Sequence, residues 1–211
     1  MRKIETRIYP TLSKSVKEID PTMALHVIPF NMPEPMEIPA HIVEQLRQLP
    51  AGEAIDKGMG LLMQIEAADI ILFERIDAEG FLQLESVMGK DGSLPDVLAD
   101  LQQESFYGQA PAAESGLAGQ AIEQGKSLLV MGQLEAGEDS PMPQRLATRL
   151  VGEGGGNAGF LYVLRLTDAA DTSRGVLTLI RGAGDGPLNH EQPNITEAMR
   201  RLLSELLSAE S

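Results

Sequence analysis

Two runs in the C-terminal half constrain this chain most. Residues 159–167, GFLYVLRLT, and 175–182, GVLTLIRG, are apolar at odd and even positions alike. Side chains alternate across a strand, so a strand with one wet face alternates apolar and polar residues. A strand without that alternation is buried on both faces, and its sheet needs a layer of chain on each side. The polar turn DAADTSR (168–174) joins the two runs as a hairpin.

The rest of the chain supplies those layers. GEAIDKGMGLLMQIEAA, from residue 52, sets Ile55, Met59, Leu62 and Ile65 at helical spacing. Two strand-like runs follow, DIILFERI (69–76) and FLQLESVMG (81–89), joined by the short turn DAEG. SLPDVLADLQQES predicts a helix with Pro95 in its first turn. ESGLAGQAIEQG (114–125) predicts a short helix with Ser115 as N-cap and Gly125 just past its end, and SLLVM then predicts a strand. Residues 132–157 are rich in Gly, Pro and acid and read as a long loop, with one helical turn around Gln144–Leu150. The last helix runs from about Pro193 to Ser208, with Ile195, Met199, Leu202, Leu203, Leu206 and Leu207 on one face. Its apolar stripe is longer than one sheet face needs, so part of it is expected to meet another chain. Strands in runs, with helices at both ends, give an α+β domain: a mostly antiparallel sheet, terminal helices on one face, short helices and loops on the other.

Residues 1–50 differ in kind. Pro10, Pro21, Pro29, Pro33, Pro35, Pro39 and Pro50 interrupt them every few residues, which rules out long regular elements. They are expected to form an arm, extended over 1–39 with one edge strand and helical over AHIVEQLRQL (40–49), ahead of a domain spanning 51–211.

Composition excludes several functions. The formal net charge is −14, which disfavours phosphate backbones and anionic lipid, so neither nucleic acid nor a membrane surface is an expected partner. There is no cysteine, hence no disulfide, thiolate metal site, cysteine nucleophile or thioether-linked cofactor. No window approaches the roughly 18–20 apolar residues of a membrane span. MRKIETRIYP has no apolar stretch after its basic residues, so a cytoplasmic protein is expected.

One stretch is odd on propensity alone. Gly116 and Gly119 fall at the start of the short helix, where each glycine costs on the order of 1 kcal/mol against alanine. Close backbone packing or a ligand at the helix start would offset that. In this context SGLAGQAIEQGKSLLV resembles the GAF family, whose sequences have a Gly-Leu-x-Gly type turn (here Gly116, Leu117, Gly119) and a Glu-x-Gly-x-x-Leu type exit into a strand (here Gln124, Gly125, Leu128, Leu129). FLYVLRLTDAADTSRGVLTLIRG resembles that family's long hairpin, and PLNHEQPNITEAMRRLL its final helix; the resemblance covers about residues 52–208. It implies a sheet of about five or six strands, terminal helices used for dimerisation, and a small-molecule pocket on the opposite face.

The specialised branches of that family fit poorly. Bilin attachment and methionine-sulfoxide reduction both rely on cysteine, and the Asn-Lys-Phe-Asp-Glu signature of the cyclic-nucleotide branch is missing. His26, His41 and His190 fall outside the elements that would line the pocket, and their spacing makes no metal set. No Gly-x-Ser-x-Gly elbow or P-loop is present: GEGGGN (152–157) reads as a flexible joint and EAGEDS (135–140) as a solvated acidic loop. No cofactor, metal or catalytic residue is therefore expected.

The pocket that the resemblance implies is bordered by Ser86 and Met88, by Glu104, Phe106 and Tyr107, by Ser115, Gly116 and Gly119, and by Leu128 and Val130. Free N–H groups at the start of the short helix suit an anion there, and Glu104 and Tyr107 suit a polar ligand. The expected function is a non-catalytic regulatory module, homodimeric through its terminal helices, that binds a small metabolite between the sheet and residues 104–157. Its signal would pass to a separate output protein. The alternatives are a ligand-free interaction module and, less favoured, a small enzyme.

Overall fold

A computed structural model describes residues 26–90, 92–103, 111–112, 116–133, 158–181 and 193–209. Strand β1 (His26–Phe30) is followed by helices α1 (Ala40–Arg47) and α2 (Ala51–Glu66). Strands β2 (Ile70–Ile76), β3 (Leu82–Gly89) and β4 (Gly92–Ser93) come next, then helices α3 (Pro95–Gln103) and α4 (Gly116–Gln124). Strands β5 (Ser127–Gln133), β6 (Ala158–Thr167) and β7 (Ser173–Arg181) precede the final helix α5 (Pro193–Ser208). The strands make one seven-stranded sheet in the order β1-β5-β6-β7-β2-β3-β4, antiparallel at every pairing.

The architecture is the α+β arrangement expected from the pattern. α2 and α5 pack on each other and on one sheet face, where Met59, Leu62, Met199 and Leu203 meet Ile71, Phe73, Leu164 and Leu177. A glycine lets the two helices approach: a Cβ on Gly58 would run into the Leu203 side chain. The buried Thr196 hydroxyl donates to the Glu66 carboxylate, tying the start of α5 to the end of α2. α3 and α4 cover the opposite face through Val97, Leu101, Leu117 and Ala121 over Leu72, Leu128, Val163 and Ile180.

Local chemistry sets the boundaries. α4 stops at Gly125 (φ 63°), and the Lys126 N–H closes back on the Ala121 carbonyl at 3.1 Å, the six-residue closure that a left-handed glycine permits. α2 ends the same way at Ala67 (φ 53°), with the Ala68 N–H on the Met63 carbonyl at 3.0 Å. Two aspartates organise the two hairpin turns. Asp77 Oδ1 accepts from the Phe81 and Glu79 amides at 2.8 and 3.1 Å, and Asp168 Oδ1 accepts from the Thr172 and Ala170 amides at 2.9 Å each. The Phe81 amide above all holds the Asp77 carboxyl below its usual range, and the Thr172 amide does the same for Asp168.

Residues 26–50 join the same sheet and the same core. β1 pairs with β5 in the register Ile28↔Leu129. Phe30 is 2% exposed and stacks on Tyr162 at 5.2 Å between ring centroids, and the Tyr162 hydroxyl donates to the Met32 sulfur at 3.3 Å. The expected edge strand is present, and α1 occupies most of the predicted 40–49. The sheet exceeds the expected strand number because β1 extends one edge and the two-residue β4 extends the other. The predicted loop helix at Gln144–Leu150 and the first 25 residues of the arm lie outside the described residues.

Candidate functional site

The face of the sheet beneath α3 and α4 is where the sequence predicted a site. β5 contributes Leu128 and Val130 to it, both fully buried under α4. On α4 itself Gly119 is buried, while Gly116 opens the helix at φ 55°, a left-handed conformation in which glycine carries no Cβ penalty. These four of the predicted residues share one face. Glu104, Phe106, Tyr107 and Ser115 lie outside the described residues.

Ser86 and Met88 point the other way. The Ser86 hydroxyl donates to Asp56 of α2 at 2.6 Å, and Met88 packs against the α2–α5 core. The reason is an extra residue in β3. Phe73 pairs with Ser86 and Glu74 with Leu84, so Glu85 has no opposite number on β2. That bulge reverses the alternation: Leu82 and Leu84 face α3 and α4, and beyond it Val87 does so instead of Ser86 and Met88.

Two polar residues on the predicted face escaped the sequence reading. Glu74 of β2 is 5% exposed and pairs across the strands with Val176 and Leu84, both of which belong to the α3–α4 core. Thr178 of β7 is 7% exposed and sits between Leu72 and Val163 on the same face. Each is visible in the sequence as a polar member of an otherwise apolar strand core, but the face it takes follows from the strand registers. Glu74 and Thr178 thus place a carboxylate and a hydroxyl at diagonal positions on adjacent strands of this face. Nearby, the Gln102 side-chain amide donates to the Leu84 carbonyl at 2.8 Å and fastens the end of α3 to β3.

His41 is exposed, the His190 residue lies outside the described residues, and the described residues contain no group of three potential metal ligands. Also among the described residues, no helix is long and apolar enough to cross a membrane.

No family model matches the sequence, and no curated protein matches it. Solved structures do. The GAF domain/HD domain protein from Geobacter sulfurreducens superposes with a TM-score of 0.51 at 14% identity, covering 79% of this chain and 94% of that one. The chain has a GAF fold. The GAF domain of an Acinetobacter phosphoenolpyruvate-protein phosphotransferase is also similar (TM-score 0.49, 15% identity, 80% and 89% covered). So is the GAF-B domain of DevS from Mycobacterium smegmatis (TM-score 0.47, 20% identity, 76% and 94% covered). At such identities the likeness is one of GAF fold, and the chemistry has to be argued from this chain's own residues.

Proposed function

We propose that this chain is a non-catalytic regulatory domain of the GAF type that binds a small polar metabolite on the sheet face beneath α3 and α4. The observation that carries the reading is that Glu74 and Thr178 set a carboxylate and a hydroxyl on the same face of adjacent strands, within an apolar layer. An anionic group would suit the start of α4 at Gly116. The similar GAF structure belongs to a protein that also carries an HD domain, which fits a sensory role coupled to an output. The proposed output is a separate protein, and the proposed compartment is the cytoplasm. The net charge of −14 argues against nucleic acid and membrane surfaces as partners.

The second part of the reading is a homodimer through α2 and α5. Leu61, Ile65, Ile195 and Leu206 are half-buried on these helices, and covering them with a second copy would bury further apolar surface. Ligand binding would act on that interface only through different affinity for its two packings.

The test is a thermal-shift screen of the full chain against nucleotides, amino acids and organic acids, repeated on Glu74→Gln. A ligand that raises the melting temperature of the parent and not of the variant supports the site. Absence of any shift favours the ligand-free interaction module. Sedimentation equilibrium showing a monomer would remove the dimer.

A further inference from the structure

Where β1 leaves the sheet, Phe30 and Met32 line a solvent-open cavity of about 200 Å³. We propose that Met32 is a modification site for peroxides, and that its oxidation to the sulfoxide frees β1 from the sheet edge. The site belongs to the α2–α5 side of the sheet and is independent of the proposed ligand face.

Met32 is half-buried against the core beneath α2 and α5. Its sulfur accepts the hydroxyl of Tyr162, a residue with no exposed surface, at 3.3 Å. Tyr162 in turn stacks on Phe30, so the thioether closes a contact that runs from β6 inside the sheet to the end of β1. The cavity admits a molecule of peroxide size, since its volume is several times the roughly 30 Å³ that one water takes in the liquid. With ten methionines and no cysteine, this chain meets peroxides through thioethers.

In the step, a sulfur lone pair attacks one oxygen of hydrogen peroxide and the O–O bond breaks. The sulfur gains that oxygen and loses two electrons; the departing hydroxide takes the proton of the transferred hydroxyl and leaves as water. The product is polar where the thioether was apolar. On the Tyr162 side its oxygen would stand well inside the roughly 2.5–3.0 Å of an O–H···O bond. Turned the other way, it is an acceptor facing the cavity, which Lys126 also lines. Both arrangements draw residue 32 off the Phe30–Tyr162 pair. β1 is an edge strand held by one neighbouring strand, and such elements open locally at low cost.

The experiment treats the full chain with hydrogen peroxide, maps sulfoxides by peptide mass and follows amide hydrogen exchange before and after. Sulfoxide is expected at Met32, and at Met36, which is 53% exposed, ahead of the buried Met59 and Met199. The oxidised chain should exchange its β1 amides about tenfold faster, the loss of part of a buried methionine's contribution, while β7 stays as slow as before. Met36→Leu should keep that acceleration and Met32→Leu remove it, leucine being of similar volume and inert to peroxide. Reduction by methionine sulfoxide reductases for both epimers should restore slow exchange. A Met32 that reacts no faster than Met59 overturns the site. Unchanged β1 exchange after oxidation, acceleration that survives Met32→Leu, or acceleration that the reductases do not reverse overturns the release.

Discussion

Gly175 of β7 lies so close to Glu74 of β2 that a Cβ on the glycine would stand 2.7 Å from the Glu74 carbonyl oxygen. The same Cβ would come within 3.2 Å of the Phe73 ring. The first obstacle is backbone in the middle of a seven-stranded sheet, and it has no rotamer through which to yield. Gly175→Ala should destabilise the fold by about 1–3 kcal/mol, the usual range for overpacking, read as a lower urea midpoint at unchanged slope.

Glu197 is a buried carboxylate, 1% exposed, that accepts from Arg200 at 2.6 and 2.9 Å and from Arg201 at 2.6 Å. Arg200 also donates to the Arg165 carbonyl at 2.7 Å, which fixes α5 to β6. Removing the carboxylate leaves Arg200 half-satisfied against the sheet, so Glu197→Ala should cost about 3 kcal/mol or more. Arg201 is 53% exposed, and Arg201→Ala should cost about 1 kcal/mol or less. Chemical denaturation of the two variants side by side checks the ordering.

Ala67 ends α2 in the left-handed region, φ 53°, where an L-residue with a Cβ is strained by roughly 1–2 kcal/mol. Glycine relieves the strain and adds some freedom to the unfolded chain. Ala67→Gly is therefore expected to stabilise the protein by about 0.5–1 kcal/mol net, measurable as a raised melting temperature.

Asp77 and Asp168 each titrate below the ordinary aspartate range, chiefly because of the Phe81 and Thr172 amides respectively. Their folded values are depressed, so the stability they contribute is present above the unfolded aspartate pKa, about 3.9, and is lost as the pH falls through the folded values. In Asp77→Asn with Asp168→Asn the amide oxygens still accept from the turns, but that acid-side loss disappears. The melting temperatures of parent and double variant should differ at pH 7 and converge at the acid end.

Much of the fold was legible because burial leaves a period behind. The unalternating β6 and β7 demanded two covering layers, and the stripe from Ile195 to Leu207 predicted the bounds of α5. What stayed hidden depends on pairing between strands. The bulge at Glu85 has no local signature, since Glu85 is as compatible with regular strand as with a bulge, yet it turned Ser86 and Met88 away from the face to which they had been assigned. Glu74 and Thr178 were visible as letters, but their shared face followed only from the registers of β2 and β7. The two glycines of α4 now differ from each other: Gly116 serves backbone conformation and Gly119 is buried in the helix.

β1 also bears on how this protein should be handled at the bench. It occupies the outer flank of β5, and it carries Pro29, a residue unable to donate to a further neighbour. A truncation starting at Ala51, the natural cut if only the long helices and central strands are valued, would bare a ladder of unpaired amides and carbonyls along Ser127–Met131. Such a flank recruits strands from other molecules, and the trimmed protein, which also lacks the core side chains Phe30 and Leu46, would be lost to precipitation.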